Sequence, residues 1–126
     1  MEPKISIKDV KERTGVSEHT LRYYEKVGLL NVGRLKNGRR FYTEQDVRWI
    51  KTLKLLRSTG MSIQDMLHLV RLTRQGDASI KERIAYFKAY QEDLRKQIAM
   101  REEAIQIVER KIERHYELLH ADSQED

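Results

Sequence analysis

His19, Arg22, Tyr23 and Lys26 lie within the stretch GVSEHTLRYYEKVGLL, residues 15–30. At about 100° per residue they share one face of a helix, which therefore offers an imidazole, a guanidinium, a phenol and an ammonium together. That set suits a polyanion with readable edges. An arginine can donate two hydrogen bonds to a guanine in the major groove, while lysine and tyrosine can hold phosphates. The helix N-terminus adds free backbone amides for a further phosphate. The alternative reading is a solvated face carrying the Glu18–Arg22 and Arg22–Lys26 neighbours. The other face, with Thr20, Leu21 and Tyr24 and with Ser17 behind them, is suited to pack on a preceding helix through Ile7, Val10 and Val16.

A second group of cations follows. Arg34, Lys36, Arg39 and Arg40 surround Asn37-Gly38, a two-residue hairpin signal because both positions accept positive φ. Leu35, Arg39 and Phe41 suit two short strands. A hairpin tip loaded with cations can straddle a phosphate strand or a minor groove. Charge along the chain agrees with this. Residues 1–78 hold 16 Lys+Arg against 9 Asp+Glu, whereas residues 79–126 hold 9 against 11. The net charge of +5 is thus concentrated in the first part, and a local positive field suggests a polyanionic partner. A solubilising surface is the alternative reading of the charge.

Elements that would position these groups are marked by caps. Ser6, Thr43 and Ser62 are each followed three residues later by an aspartate, and Ser17 and Ser79 are two further N-cap candidates. Gly15, Gly28, Gly60 and Gly76 supply stops. Helices are expected near 7–13, 18–27, 44–59, 63–75 and 80–119. Two helices joined by a tight turn and followed by a hairpin make a helix-turn-helix with a wing. The fold class is mostly α, with a winged head over residues 4–75 and a long helix over 79–120. The acidic end, residues 121–126, is expected to be disordered.

The fifth helix carries a seam at Ile84, Phe87, Gln91, Leu94, Ile98, Arg101, Ile105, Val108, Ile112, His115 and Leu119, eight of eleven apolar. The 3.5-residue period points to a coiled coil with a second copy, so those eight apolar residues are the candidate dimerisation contacts. A helix folded back on its own head is the alternative. Gln91, Arg101 and His115 would set register or orientation.

Composition also excludes chemistry. The chain has no cysteine, hence no disulfide, thiolate metal site or thiol redox sensor. It has no phosphate loop, cysteine nucleophile or plausible Ser-His-acid order, so an enzyme is not expected. No metal and no cofactor are expected either, since His68, His115 and His120 form no tight ligand cluster. His115 with Glu113 or Glu117 could reach a metal only together with a partner's residues. No run of eighteen apolar residues is present and the N-terminus lacks an apolar signal region, which points away from a membrane and towards the cytoplasm. Trp49 and Met66 could line a small-ligand pocket, but their helical spacing with Ile50, Leu53, Ile63 and Val70 favours core.

Three segments, TLRYYEKVGLL, NGRRFYTEQDV and RSTGMSIQDM, occur in an order and spacing that resemble the MerR family of bacterial transcription regulators, closely over residues 4–75. The resemblance implies a winged-helix head and an antiparallel coiled coil joining two subunits. It implies a palindromic operator in an overlong promoter spacer, which the homodimer bends and untwists so that RNA polymerase engages both elements. Carried over by position, it makes Arg22, Tyr23 and Tyr24 recognition-helix contacts, Arg34, Arg39, Arg40 and Tyr42 wing contacts, and Arg57 a backbone contact. With Ser17, His19, Thr20, Lys26 and Lys36 these complete the candidate DNA-binding set. DVRWIKTLKLLRSTGM is similar to a branch that responds to aldehyde or nitrosative stress through a cysteine in the third helix. Leu55 stands in that cysteine's place, so the resemblance does not extend to thiol sensing. Only about seven residues follow the long helix, so no large ligand domain is expected, and the effector is unassigned. A different class of function, a coiled-coil interaction or architectural protein whose basic head binds DNA or an anionic surface without sequence preference, is distinguished by its lack of base selectivity.

Overall fold

The computed structural model describes residues 3–124. The chain divides between Arg83 and Ile84 into two compact units. The first contains α1 (Ile7–Thr14), α2 (Glu18–Val27), β1 (Gly33–Arg34), β2 (Arg40–Phe41), α3 (Glu44–Ser58), α4 (Ile63–Arg74) and a 3-10 turn (Gly76–Ser79). A long helix, α5 (Ile80–Gln124), begins at the end of this unit and makes up the described part of the second.

Caps place the helix starts where the serine and threonine side chains require. Ser6, Ser17 and Ser62 each accept the backbone N–H three residues on, and Thr43 with Asp46 closes a full capping box. Ser79 behaves differently from expectation. Its buried hydroxyl lies against the carbonyls of Leu72 and Gly76 and accepts from Arg83 Nε at 3.0 Å. It therefore joins the end of α4 to the 3-10 turn, because Gly76–Ser79 wind into a tighter helix before α5 begins.

α1 packs on both α2 and α3. Val10, Leu21, Ile50, Leu53 and Met66 are sealed from solvent in the shared core. Burying such a side chain fully is worth about 1.5–3 kcal/mol. Polar ties fix the helix ends. α1 stops at Gly15, in the left-handed region at φ 73°, where a Cβ would come within 2.7 Å of Lys54 Nζ. That ammonium donates to the Thr14 carbonyl at 2.9 Å, a cation on the negative end of a helix. Arg13 pairs in bidentate fashion with Glu44 at 2.8 and 2.7 Å, linking α1 to the start of α3.

The hairpin pairs Gly33 with Phe41 and Arg34 with Arg40. Five residues, 35–39, connect the strands, and the turn at their centre takes three residues rather than two. Gly38 donates to Leu35 and Leu35 to Arg39, and only Gly38 has positive φ, at 85°. Asn37 stays at negative φ and its side chain accepts from Arg39 N at 3.0 Å, so a common turn followed by a left-handed glycine replaces the tighter form. Leu35 and Arg39 consequently lie beyond the strands. A third piece of extended chain joins this sheet: Ile5 and Tyr42 exchange two backbone hydrogen bonds of 2.8 Å.

α5 is 45 residues long, about 68 Å at 1.5 Å per residue. It continues through Ala121–Gln124, which corrects the expectation of disorder there; Glu125 and Asp126 lie outside the described residues. Within the single chain Ile84, Phe87, Ile98, Ile105, Val108, Ile112 and Leu119 are exposed, and Leu94 is half-buried. No helix among the described residues is long and apolar enough to cross a membrane.

Candidate nucleic-acid interface

α2 divides as its periodicity requires. Leu21 and Tyr24 are buried, Thr20 is half-buried, and His19, Arg22, Tyr23 and Lys26 are exposed. Ser17 and Thr20 serve the helix start, since the Ser17 hydroxyl donates to the Thr20 hydroxyl at 2.9 Å and accepts from Thr20 N. Three contacts secure the other end. Gly28 turns left-handed at φ 96°, Trp49 Nε1 donates to the Leu29 carbonyl at 2.9 Å, and Arg74 reaches the Gly28 carbonyl at 3.4 Å. The helix is thereby held from α3 and α4 while its cationic face stays outside.

The wing lies beside that face. Ser6, Ile7, Lys8, Arg22, Arg34, Gly38, Arg39 and Arg40 together line a groove of about 530 Å³. Five cations from the start of α1, the middle of α2 and the wing hairpin converge there. Among the described residues no carboxylate lines this groove, so its walls favour an anion. Lys8 was not among the sequence candidates; its signal was a lysine in the first turn of α1, visible only once that turn is known to face the wing.

Glu25 was also missed. It projects from α2 towards the wing, accepting from Arg40 Nε at 2.9 Å and lying 3.4 Å from Arg34 Nη2. Two of the four wing cations are therefore joined to α2 by one carboxylate. Lys36 and Arg39 are exposed at the hairpin tip.

Three other candidates have structural roles. Tyr42 is fully buried, and its hydroxyl has no hydrogen-bond partner among the described residues. It cannot reach a phosphate in this conformation, because pairing with Ile5 turns its side chain into the core. Burial pushes its phenol above the ordinary value, and the nearby Glu25 carboxylate adds to the rise. Tyr24 is buried with a raised phenol too, again through desolvation, countered in part by Arg57. Arg57 is exposed but donates to the Met61 carbonyl at 3.2 Å, bracing the turn between α3 and α4.

Trp49 and Met66 separate. Met66 is core, whereas half-buried Trp49 lines a cleft of about 450 Å³ with Leu29, Asn31, Gln45, Asp46, Val70, Thr73 and Arg74. Leu55 is 65% exposed on α3. Among the described residues there is no group of three His, Cys, Asp or Glu side chains spaced to hold a metal ion.

This geometry has counterparts. Residues 5–82 match the MerR HTH family regulatory protein. An HTH-type transcriptional regulator of Haemophilus influenzae is 38% identical over 102 residues, covering 80% of this chain and 76% of that protein. The HTH-type transcriptional regulator YyaN of Bacillus subtilis is 36% identical over 127 residues, covering 90% of this chain and 92% of the relative. In structure the chain is similar to HiNmlR, described as a MerR family regulator lacking the sensor domain and bound to promoter DNA. That similarity has a TM-score of 0.75 and 36% identity, over 82% of this chain and 79% of that one. A buried helix-turn-helix core, a short wing and a family match across the whole head agree, and the chain belongs to the MerR HTH family of transcriptional regulators.

Proposed function

We propose that this regulator binds a palindromic promoter operator as a homodimer and controls transcription by deforming the promoter spacer. The observation that carries the reading is the cationic groove shared by Lys8, Arg22, Arg34, Arg39 and Arg40, beside an α2 face that is exposed only on its polar side. Arg22 reads a base edge; His19, Tyr23 and Lys26 flank it; the wing cations, with Lys36 at the tip, hold phosphates. Ser17 and Thr20 present the start of α2 to the backbone, and Arg57, while bracing the turn between α3 and α4, adds a further exposed cation. The relative HiNmlR, bound to promoter DNA, supports DNA as the ligand.

Dimerisation rests on the exposed α5 seam, Ile84, Phe87, Leu94, Ile98, Ile105, Val108, Ile112 and Leu119, which a second copy would cover. Two heads held at a fixed spacing then read a two-fold site. Smooth bending of a 20–30 base-pair site costs about 1–6 kcal/mol, which charged contacts from two heads offset. RNA polymerase engages the deformed promoter, and the protein works in the cytoplasm. The architectural alternative loses ground because its relatives are named as transcriptional regulators.

The test is selection of duplexes from a random library, followed by titration of the winner and of a shuffled control. A specific regulator prefers the winner by about a thousandfold or more at physiological salt. Arg22→Ala should lose about 1–3 kcal/mol on the winner and relax the preference at one base position. Equal weakening on both duplexes would reduce Arg22 to a phosphate contact, and absence of any preferred duplex would sink the regulator reading.

A further inference from the structure

Among the described residues Glu25 is the one carboxylate paired with the wing, and its chemistry conflicts with the role of its neighbours. Arg34 and Arg40 line the groove, yet both are engaged by Glu25 at 3.4 and 2.9 Å. A carboxylate beside a phosphate-binding surface repels the ligand and competes for its cations. For a protein that needed only to hold DNA tightly, this pair would be a defect.

The geometry of the pair suggests its use. Arg40 meets Glu25 through Nε, one edge of the guanidinium fork, and its terminal nitrogens make no other hydrogen bond among the described residues. A phosphate approaching through the groove can therefore take the terminal edge of Arg40 while Glu25 keeps the Nε edge, so the arginine is aimed rather than lost. Arg34 is held more loosely, at 3.4 Å to both carboxylate oxygens, and its side chain is twice as exposed as that of Glu25, at 46% against 20%. A correctly seated phosphate can draw it away, while a loosely placed one must compete with Glu25. Because Glu25 sits on the reading helix one turn from Arg22, this competition is coupled to whether α2 is seated in its groove.

We propose that Glu25 is a positioning and specificity-determining residue: it holds Arg34 and Arg40 to the reading helix, lowering affinity for arbitrary DNA and granting the wing contacts only where α2 is docked. This rests on the regulator reading above. It predicts discrimination by restraint, in which removing one carboxylate makes the protein bind better and choose worse.

Glu25→Gln keeps the shape and removes the charge. The full chain and the variant are titrated against the duplex selected by the unaltered protein and against its shuffled control, from low to physiological salt. On the shuffled duplex the variant should bind about tenfold more tightly. Each cation freed for a phosphate adds about 0.9 to the salt slope, so the slope should steepen by about one to two. Preference for the selected duplex should fall by about the same tenfold. Adding Arg34→Gln to Glu25→Gln should remove much of that gain, which a merely structural brace would not do. A thermal melt on each sample reports folding; if Glu25→Gln does not fold, Glu25→Ala is read instead, with the same gain in affinity and salt slope expected on the shuffled duplex. Unchanged affinity and salt slope on the shuffled duplex, or equal weakening on both, would overturn the proposal. If the unaltered protein selects no duplex at all, the regulator reading fails first, and that outcome is distinguishable from a specific protein whose Glu25→Gln variant behaves the same.

Discussion

Tyr42 shows how a single side chain can be misassigned by position and corrected by burial. It follows two wing cations in sequence, yet its backbone is paired with Ile5 and its ring is sealed in the core, its hydroxyl without a partner among the described residues. Burying an unsatisfied hydroxyl costs about 1–3 kcal/mol. Tyr42→Phe should therefore stabilise the head by about 1 kcal/mol, raising the thermal midpoint by several degrees, and should leave DNA affinity unchanged. A drop in affinity with no gain in stability would return Tyr42 to the interface. The phenol is raised above its ordinary value of 10.0. Its neutral form is the one the fold favours, so its contribution is complete below the unfolded value and is lost as pH rises through the folded one. The unaltered protein should lose stability on the alkaline side of pH 10.0, and Tyr42→Phe should lessen that loss, with Tyr24 supplying what remains. Chemical denaturation followed across that pH range measures both.

At the scale of elements, α2 keeps its proposed reading face outside because other elements hold its ends. The Thr43–Asp46 capping box starts α3, and α3 carries both Trp49, which binds the Leu29 carbonyl, and Lys54, which binds that of Thr14. Loosening the start of α3 should therefore be felt across the head. Thr43→Ala should cost about 0.5–2 kcal/mol, measured by urea denaturation. A loss below that range would mean that the Arg13–Glu44 pair and the packing of Val47 keep the first turn in place without the cap. Helix limits were legible because each cap is a local hydrogen bond between residues three apart, and Ser6, Ser17, Thr43 and Ser62 all make it. The exceptions depend on distant chain. Ser79 is drawn back to Leu72, Asn37-Gly38 accommodates the pairing of Arg34 with Arg40, and Ile5 joins Tyr42 across 36 intervening residues.

At the scale of the whole molecule, the two units divide the work proposed for them, reading in one and pairing in the other. A charge in the middle of the seam tests the second. Ile105→Glu places a carboxylate where two copies would meet and should give single chains in sedimentation, with affinity for the selected duplex falling by at least a hundredfold as the second head is lost. An unchanged dimer would mean that another face of α5 makes the contact. Period, caps and charge are properties of neighbouring residues, so the sequence by itself determined the helices, the long seam, the two faces of α2 and the cationic first part. Which cations share a groove, that Lys8 joins them, that Glu25 pairs with two of them and that Tyr42 leaves them were decided by tertiary structure alone. Each depends on residues far apart in the chain being packed within a few ångströms, and no local pattern encodes such a distance.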